Sequence, residues 1–158
     1  MEIIEKNLKQ KFDDDGYVAM YSFFEDDKIQ EIKNEIDRYI VDIGPILPNH
    51  HVFYEDKSDK STIKNLQQMF TYDEYFKQLI EESAIQEVAS SVLGEKAIPK
   101  NLQYFNKPPG VGKPTPPHQD GYYFMLKKHN AVTCWLALEK VDEENGCIHY
   151  VKGSHLYE

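Results

Sequence analysis

A histidine and an aspartate lie two positions apart, at His118 and Asp120, directly after a proline-rich stretch. Residues two apart on an extended strand project their side chains to the same face, so an imidazole nitrogen and a carboxylate oxygen can reach one metal ion. Two histidines and one carboxylate, with coordination positions left open, form the ligand set of non-haem iron(II) oxygenases. The pair therefore indicates a candidate iron site.

Taken alone, this spacing is a weak signal, because the same pair also forms simple histidine–aspartate hydrogen bonds and solvated turns. The adjacent histidines His50 and His51 also suggest a metal site. Neighbours on a strand point to opposite faces, however, so we predict a solvated loop pair there. The two cysteines, Cys134 and Cys147, form no CxxC pair and predict reduced, buried thiols.

Before about residue 95, apolar residues recur mainly at the spacing of helices that bury one face. Asp26 or Asp27 is suited to begin the first helix, and Gly44-Pro45 follows its end. Ser83 is a suitable cap for the last helix, with Gly94 as its left-handed stop. The predicted elements are strands over 17–21 and 51–54 and helices over 26–43, 73–81 and 83–93.

From residue 96 onward the pattern indicates extended chain. Residues 106–117 contain five prolines and two glycines, so they predict a loop. Residues 131–138 are β-branched, aromatic and mostly apolar, which predicts a buried strand. The other predictions are an extended segment over 98–105, turns over 142–146 and 152–154, and a strand over 147–151. Helices precede strands, so the fold class is α+β with a β-sheet core.

The chain is acidic, with a net charge of -9 and a pI of about 5.1. An acidic chain repels phosphate backbones, which argues against a nucleic-acid partner. The sequence contains no polybasic run, no apolar run of about 18 residues and no signal peptide at its start, which argues against a membrane partner. We therefore predict a cytoplasmic protein and leave its oligomeric state open.

Six segments in order resemble the phytanoyl-CoA dioxygenase family, and together they are far more specific than any one of them. The last segment joins two signatures of that family, NGC at 145–147 and PGSH at 152–155, where Lys152 replaces the usual proline. The six segments are 12–40 (with the opening FDDDGYV), 85–94, 103–110, 117–121 (PHQDG), 133–138 (TCWLAL) and 144–155.

The resemblance implies one domain over residues 1–158. Its N-terminal helices (about 1–95) would pack on a double-stranded β-helix, or cupin-like jelly-roll, core (about 96–158). It also implies catalysis at iron(II) bound by His118, Asp120 and a distal histidine, with 2-oxoglutarate as co-substrate. One atom of dioxygen would enter 2-oxoglutarate, giving succinate and carbon dioxide, and the other would hydroxylate a small-molecule substrate of unknown identity.

Three further residues are implied to bind 2-oxoglutarate. Asn106 matches a residue whose amide contacts the co-substrate carboxylate, and Gln103 lies three positions earlier. Only one of these two can face the pocket from a straight strand, and Gln103 is the weaker candidate. Trp135 matches an aromatic that walls the pocket, although a plain core position fits it equally well.

The family's distal histidine, and the arginine that anchors 2-oxoglutarate, lie beyond the GSH signature, which only three residues follow here. The sole arginine, Arg38, lies in the N-terminal helix and predicts a surface ion pair. We therefore expect the chain to lack the C-terminal part of the domain, with the distal histidine beyond Glu158. His149 and His155, and less so His129, stay open as replacement ligands.

Three functions remain open on these grounds. The first is the iron(II)- and 2-oxoglutarate-dependent hydroxylase. The second is a catalytically silent, truncated jelly-roll module that acts in binding or structure. The third is another metal enzyme that uses His149 and no 2-oxoglutarate. An incomplete roll would also leave an apolar edge such as 132–138 without a neighbour, so we predict marginal stability for the isolated chain.

Overall fold

The computed structural model describes residues 2–81, 83–124 and 130–157. These residues form a helical N-terminal half, a small sheet and a long C-terminal stretch of irregular chain. The helices are α1 (Glu2–Asp15), α2 (Asp26–Asp42), α3 (Met69–Tyr72), α4 (Glu74–Glu81), α5 (Ala84–Leu93) and α6 (Asp120–Phe124), with 3-10 turns at Gly44–Ile46, Asn49–His51 and Ser154–Leu156. None of the described helices is long and apolar enough to cross a membrane.

The helices predicted from apolar spacing are confirmed. Helix α2 buries Ile32, Ile36 and Tyr39 along one face, as its stripe of isoleucines predicts. Helix α5 begins after Ser83, whose hydroxyl accepts a hydrogen bond from the amide of Ile85 at 3.2 Å. The same helix ends at Gly94 in the left-handed conformation, with φ of 72°.

Helix α1 was not among the predicted elements, and it runs through the acidic stretch at 13–15. Each aspartate from 13 to 15 accepts a hydrogen bond from the residue four positions before it, which stabilises a helix rather than a turn. The helix packs against α5 and ends at Gly16 with φ of 82°. The strand predicted over 17–21 does not form, because this segment pairs with no strand among the described residues.

The core lies where α2 and α4 pack against the sheet. Tyr39 and Phe76 meet edge to face there, with ring centroids 5.3 Å apart. The buried cluster comprises Ile32, Ile36, Tyr39, Leu47, Leu66, Met69, Phe76 and Leu79.

The sheet has three antiparallel strands in the order β1 (Val52–Tyr54), β2 (Ile63–Leu66) and β3 (Tyr104–Phe105). Strand β1 confirms the prediction for 51–54. Only the end of the predicted segment 98–105 enters the sheet, where Leu66 pairs with Tyr104. The structure is therefore mixed helix and sheet, and the expected jelly-roll core is not seen in the described residues.

The strands predicted over 131–138 and 147–151 are wrong for the described structure. Both segments lack a paired strand among the described residues, although Leu136 and Leu138 pack against the core. Trp135 is 48% exposed and Val151 is 73% exposed. The cysteines are free, as predicted, but Cys134 is exposed and Cys147 half-buried rather than buried, because they lie in these two segments.

Candidate metal centre

His118 and Asp120 come together at the point where the proline-rich loop ends and α6 begins. The Nε2 atom of His118 lies 3.2 Å from Oδ1 of Asp120, and both side chains are partly exposed. The sequence predicted their convergence on a strand. Asp120 is instead the first residue of α6, so the turn into the helix brings the two groups together.

A hydrogen bond fixes which nitrogen of the His118 ring faces Asp120. Its Nδ1 atom lies 2.8 Å from the carbonyl oxygen of Pro116, and a carbonyl can only accept, so Nδ1 carries the hydrogen. In the neutral ring, Nε2 then presents its lone pair to Asp120 Oδ1, which is also an acceptor. Two acceptors facing each other at this distance require a metal cation or a proton between them.

The other oxygen of Asp120 is already engaged. The hydroxyl of Thr133 donates to Asp120 Oδ2 at 2.6 Å, which leaves Oδ1 directed to His118. Outer contacts of this kind orient metal ligands and are one reason that such sites bind tightly. In the sequence, Thr133 is predicted only as part of a core strand, although a polar residue inside an apolar run could have marked it.

The arrangement fits two adjacent positions on a six-coordinate ion. Ligands bound at about 2.1 Å and at right angles to each other are separated by roughly 3.0 Å, close to the observed 3.2 Å. One imidazole nitrogen and one carboxylate oxygen are also the donor types of the non-haem iron(II) site. The residues present therefore fit two of its three protein ligands.

No third ligand joins the pair within residues 2–81, 83–124 and 130–157, where no three His, Cys, Asp or Glu side chains could hold one ion. His155 instead directs Nε2 to the carbonyl of Asp13, at 2.9 Å. His149 contacts the thiol of Cys147, with Nε2 and Sγ 3.4 Å apart. His129 lies outside the described residues.

Aromatic side chains flank the pair. The rings of His118 and Tyr123 meet edge to face with centroids 5.7 Å apart, and Tyr122 packs on Tyr123 in the same way. Tyr150 is half-exposed, yet desolvation and then the charge of Asp120 raise its pKa. The pair therefore lies at an exposed surface with neutral aromatic groups around it.

Comparison with known proteins decides the family of this chain. The family model described as "Phytanoyl-CoA dioxygenase (PhyH)" matches residues 12–158. The chain belongs to the phytanoyl-CoA dioxygenase family. Its membership confirms the resemblance drawn from the ordered motifs and supports an oxygenase at the level of the family.

Curated relatives agree with this assignment. The chain is 27% identical to "Phytanoyl-CoA dioxygenase, peroxisomal" of Mus musculus, with 97% of this chain and 48% of the mouse protein covered. It is 24% identical to "Phytanoyl-CoA dioxygenase" of Arabidopsis thaliana, with 91% and 62% covered. The chain thus spans about half the length of the mammalian relatives it matches. No solved structure matches it significantly.

Two of the residues that the family resemblance assigns to 2-oxoglutarate form hydrogen bonds with β2 and not with the His118–Asp120 pair. Asn106 donates its amide to the carbonyl of Ile63 at 3.0 Å, and Gln103 accepts from Asn65 at 3.2 Å. Both amides thereby join the β3 region to β2. Neither is hydrogen-bonded to His118 or Asp120 among the described residues, so their role toward 2-oxoglutarate stays a prediction.

The remaining polar predictions outside the pair have clear structural outcomes. His50 and His51 lie on a 3-10 turn, and His51 Nδ1 contacts the hydroxyl of Tyr72 at 2.9 Å. His50 is exposed and His51 half-buried, so the pair is only partly solvated. Arg38 forms ion pairs with Glu35 and with Asp73, both at 2.7 Å, which confirms the ion pair predicted for it.

Proposed function

We propose that the protein is an iron(II)- and 2-oxoglutarate-dependent hydroxylase of a small molecule, in which His118 and Asp120 hold the metal. The observation that supports this proposal is the facing of two acceptor atoms, His118 Nε2 and Asp120 Oδ1, at 3.2 Å. Family membership supports the same reaction class. When bound, the iron would supply the activation of dioxygen, and 2-oxoglutarate the two further electrons that this reaction requires.

The chain's own residues would prepare the site. The carbonyl of Pro116 engages Nδ1 of His118, so that Nε2 is the ring nitrogen directed to the ion. Thr133 holds Asp120 in one orientation and so favours binding through a single oxygen. We propose that the third protein ligand comes from outside the described residues, and that Asn106 and Trp135, with Gln103 as a weaker candidate, contact 2-oxoglutarate.

A catalytically silent module is the alternative. It is favoured by one observation, the lack of a third ligand among the described residues. Under that alternative, a proton rather than a metal ion would lie between His118 Nε2 and Asp120 Oδ1. The two functions differ in whether the pair binds a metal ion at neutral pH.

Anaerobic titration with iron(II) tests the proposal. We expect iron(II) binding that His118→Ala and Asp120→Ala abolish, together with a weak visible charge-transfer band when 2-oxoglutarate is added. His50→Ala is the matched control, because it removes an exposed histidine on a separate turn. Binding that survives both His118→Ala and Asp120→Ala would overturn the assignment of the site. A wild-type protein that binds no iron(II) would refute metal binding by this pair and leave the family assignment intact.

The cytoplasm is the proposed location, and free thiols at Cys134 and Cys147 support it. The mouse relative is named as a peroxisomal protein. Fractionation of cells that express the tagged protein separates the two compartments, and recovery in the peroxisomal fraction would contradict the proposal.

A further inference from the structure

The turn over 152–157 is attached to the end of α1 by polar contacts. The amide of Gly153 donates to the carbonyl of Asp15 at 2.8 Å, and Nζ of Lys152 lies 2.8 Å from the Asp15 carboxylate. His155 donates to the carbonyl of Asp13 at 2.9 Å. The fit is close, because a Cβ atom on Gly16 would collide with the His155 ring. The turn is therefore held in place by the helical half of the molecule.

The other side of this turn is bonded to the residue between the two candidate metal ligands. The side-chain amide of Gln119 donates to the carbonyl of Ser154 at 2.9 Å and to that of Tyr157 at 3.2 Å. An amide nitrogen carries two hydrogens, so both of its donors are used. The contacts reach one carbonyl in the 3-10 turn, that of Ser154, and one just after it, that of Tyr157, and join the turn to His118 and Asp120.

These side-chain bonds matter because the backbone leading to the pair has few of its own. Residues 114–119 contain three prolines, which lack an amide hydrogen. No amide of residues 114–119 donates a backbone hydrogen bond to the described part of the chain. The Gln119 side chain is thus the link from this segment to a turn that α1 holds in place.

We propose that Gln119 is a positioning residue, which holds the backbone between His118 and Asp120 so that Nε2 and Oδ1 face each other. This inference rests on the proposed metal-binding function of the pair. The Gln119 side chain bonds to the turn and not to His118 or Asp120. It therefore acts on the site through the backbone that carries these two ligands. Loss of its bonds frees residues 116–119 to rotate and weakens the Pro116 carbonyl contact that sets the His118 proton.

Gln119→Met removes both donors at nearly unchanged size. Gln86→Met is the matched control, because Gln86 also donates its amide to a backbone carbonyl, that of Ala97 at 3.4 Å, but does so in α5. Cobalt(II) titration under anaerobic conditions measures metal affinity for both variants. We expect Gln119→Met to weaken it by about 10- to 100-fold, the usual effect of losing an outer contact, and Gln86→Met to leave it unchanged.

Nitrogen-15 NMR of the His118 ring in the metal-free protein separates the two proposals. We expect wild-type Nδ1 to show a hydrogen bonded to the Pro116 carbonyl, and Gln119→Met to lose that hydrogen-bonded signal, while Gln86→Met matches wild type. An unchanged His118 signal in Gln119→Met overturns the positioning role, whatever the metal affinity. If wild-type protein binds no cobalt(II) but Gln119→Met still changes the His118 signal, the metal-binding function is refuted and the positioning role is supported.

Discussion

The hydroxyl of Thr133 donates to Oδ2 of Asp120 at 2.6 Å and so fixes which oxygen of that carboxylate faces His118. A hydrogen bond to a charged group is among the stronger hydrogen bonds in proteins. The contact also joins the segment that begins at residue 130 to α6. In the proposed site, this contact leaves Oδ1 as the one carboxylate oxygen available to bind the metal.

Thr133→Val should therefore weaken metal binding, because valine keeps the shape of threonine and removes the donor. We expect a loss of roughly tenfold or more in cobalt(II) affinity by isothermal titration calorimetry. Thr133→Ser keeps the hydroxyl and should restore most of the affinity. If the valine and serine variants bind equally well, the carboxylate is oriented by some other group.

The ion pairs of Asp15 predict a pH-dependent stability. Its buried carboxylate accepts hydrogen bonds from Lys11 at 2.7 Å and from Lys152 at 2.8 Å. Lys11, and then Lys152, lower the pKa of this group below its ordinary value. A lowered pKa in the folded state means that the stabilisation is present above the unfolded pKa, about 3.9, and is lost as pH falls through the folded value.

Urea denaturation of wild type and Asp15→Asn across pH 3 to 8 measures this effect. The wild-type advantage in unfolding free energy should be constant from pH 8 to about pH 5 and should decrease toward pH 3. Lys152→Met should reproduce part of the loss. Lys140→Met is its control, because Lys140 pairs with Asp142 on an exposed turn. A wild-type advantage that grows toward low pH would contradict the stabilisation expected from the ion pairs of Asp15.

Asp73 combines two stabilising roles at the start of α4. Its Oδ1 atom accepts from the amides of Tyr75 and Phe76, at 3.0 and 3.4 Å, while Oδ2 pairs with Arg38 at 2.7 Å. Asp73, with Glu35 second, raises the pKa of Arg38, so the guanidinium is charged at every relevant pH. The first role needs an acceptor oxygen, and the second needs a charge.

Asp73→Ala should lower the unfolding free energy by about 2 kcal/mol, because the helix cap and a partly exposed ion pair are both lost. Asp73→Asn should recover about half of that, since asparagine caps as well as aspartate but carries no charge. Thermal or urea denaturation of the two variants gives the difference. Equal losses in both would mean that the cap contributes nothing and that the charge dominates.

The sequence predicted the helical elements best where the signal was local. Helix α5 has its own start and stop residues in Ser83 and Gly94, and the apolar stripe of α2 determines which side is buried. The convergence of His118 and Asp120 was also predicted, although through strand geometry rather than the start of α6. Spacing alone cannot distinguish these two routes, since both bring the two side chains to one side.

The C-terminal strands could not be predicted in the same way, because a strand forms only when another strand pairs with it. The composition of 131–138 suits a buried strand, but no strand pairs with the segment among the described residues, and Trp135 is exposed. The outer contacts from Thr133 and Gln119 were missed for a related reason. Each joins residues 13 or more positions apart, and such distances leave no local pattern.

The unpaired segments predict a sharp contrast in amide hydrogen exchange. No amide from 131 to 141 donates a backbone hydrogen bond within the described structure, so these amides should exchange within seconds. Amides inside α2 and α5 should be protected far longer, because they are bonded within helices that pack on buried residues. Peptide-resolved exchange followed by mass spectrometry measures both regions in one experiment.

An internal control lies close by in the same region. The amide of Cys147 donates to the carbonyl of Asp142 at 2.9 Å and should exchange more slowly than those of residues 148–151, for which the described chain shows no such bond. Strong protection over 132–138 would instead mean that this segment is a paired strand in solution, as its composition predicted. Fast exchange there, with slow exchange in the helices, would show that the stable part of this chain is its helical half.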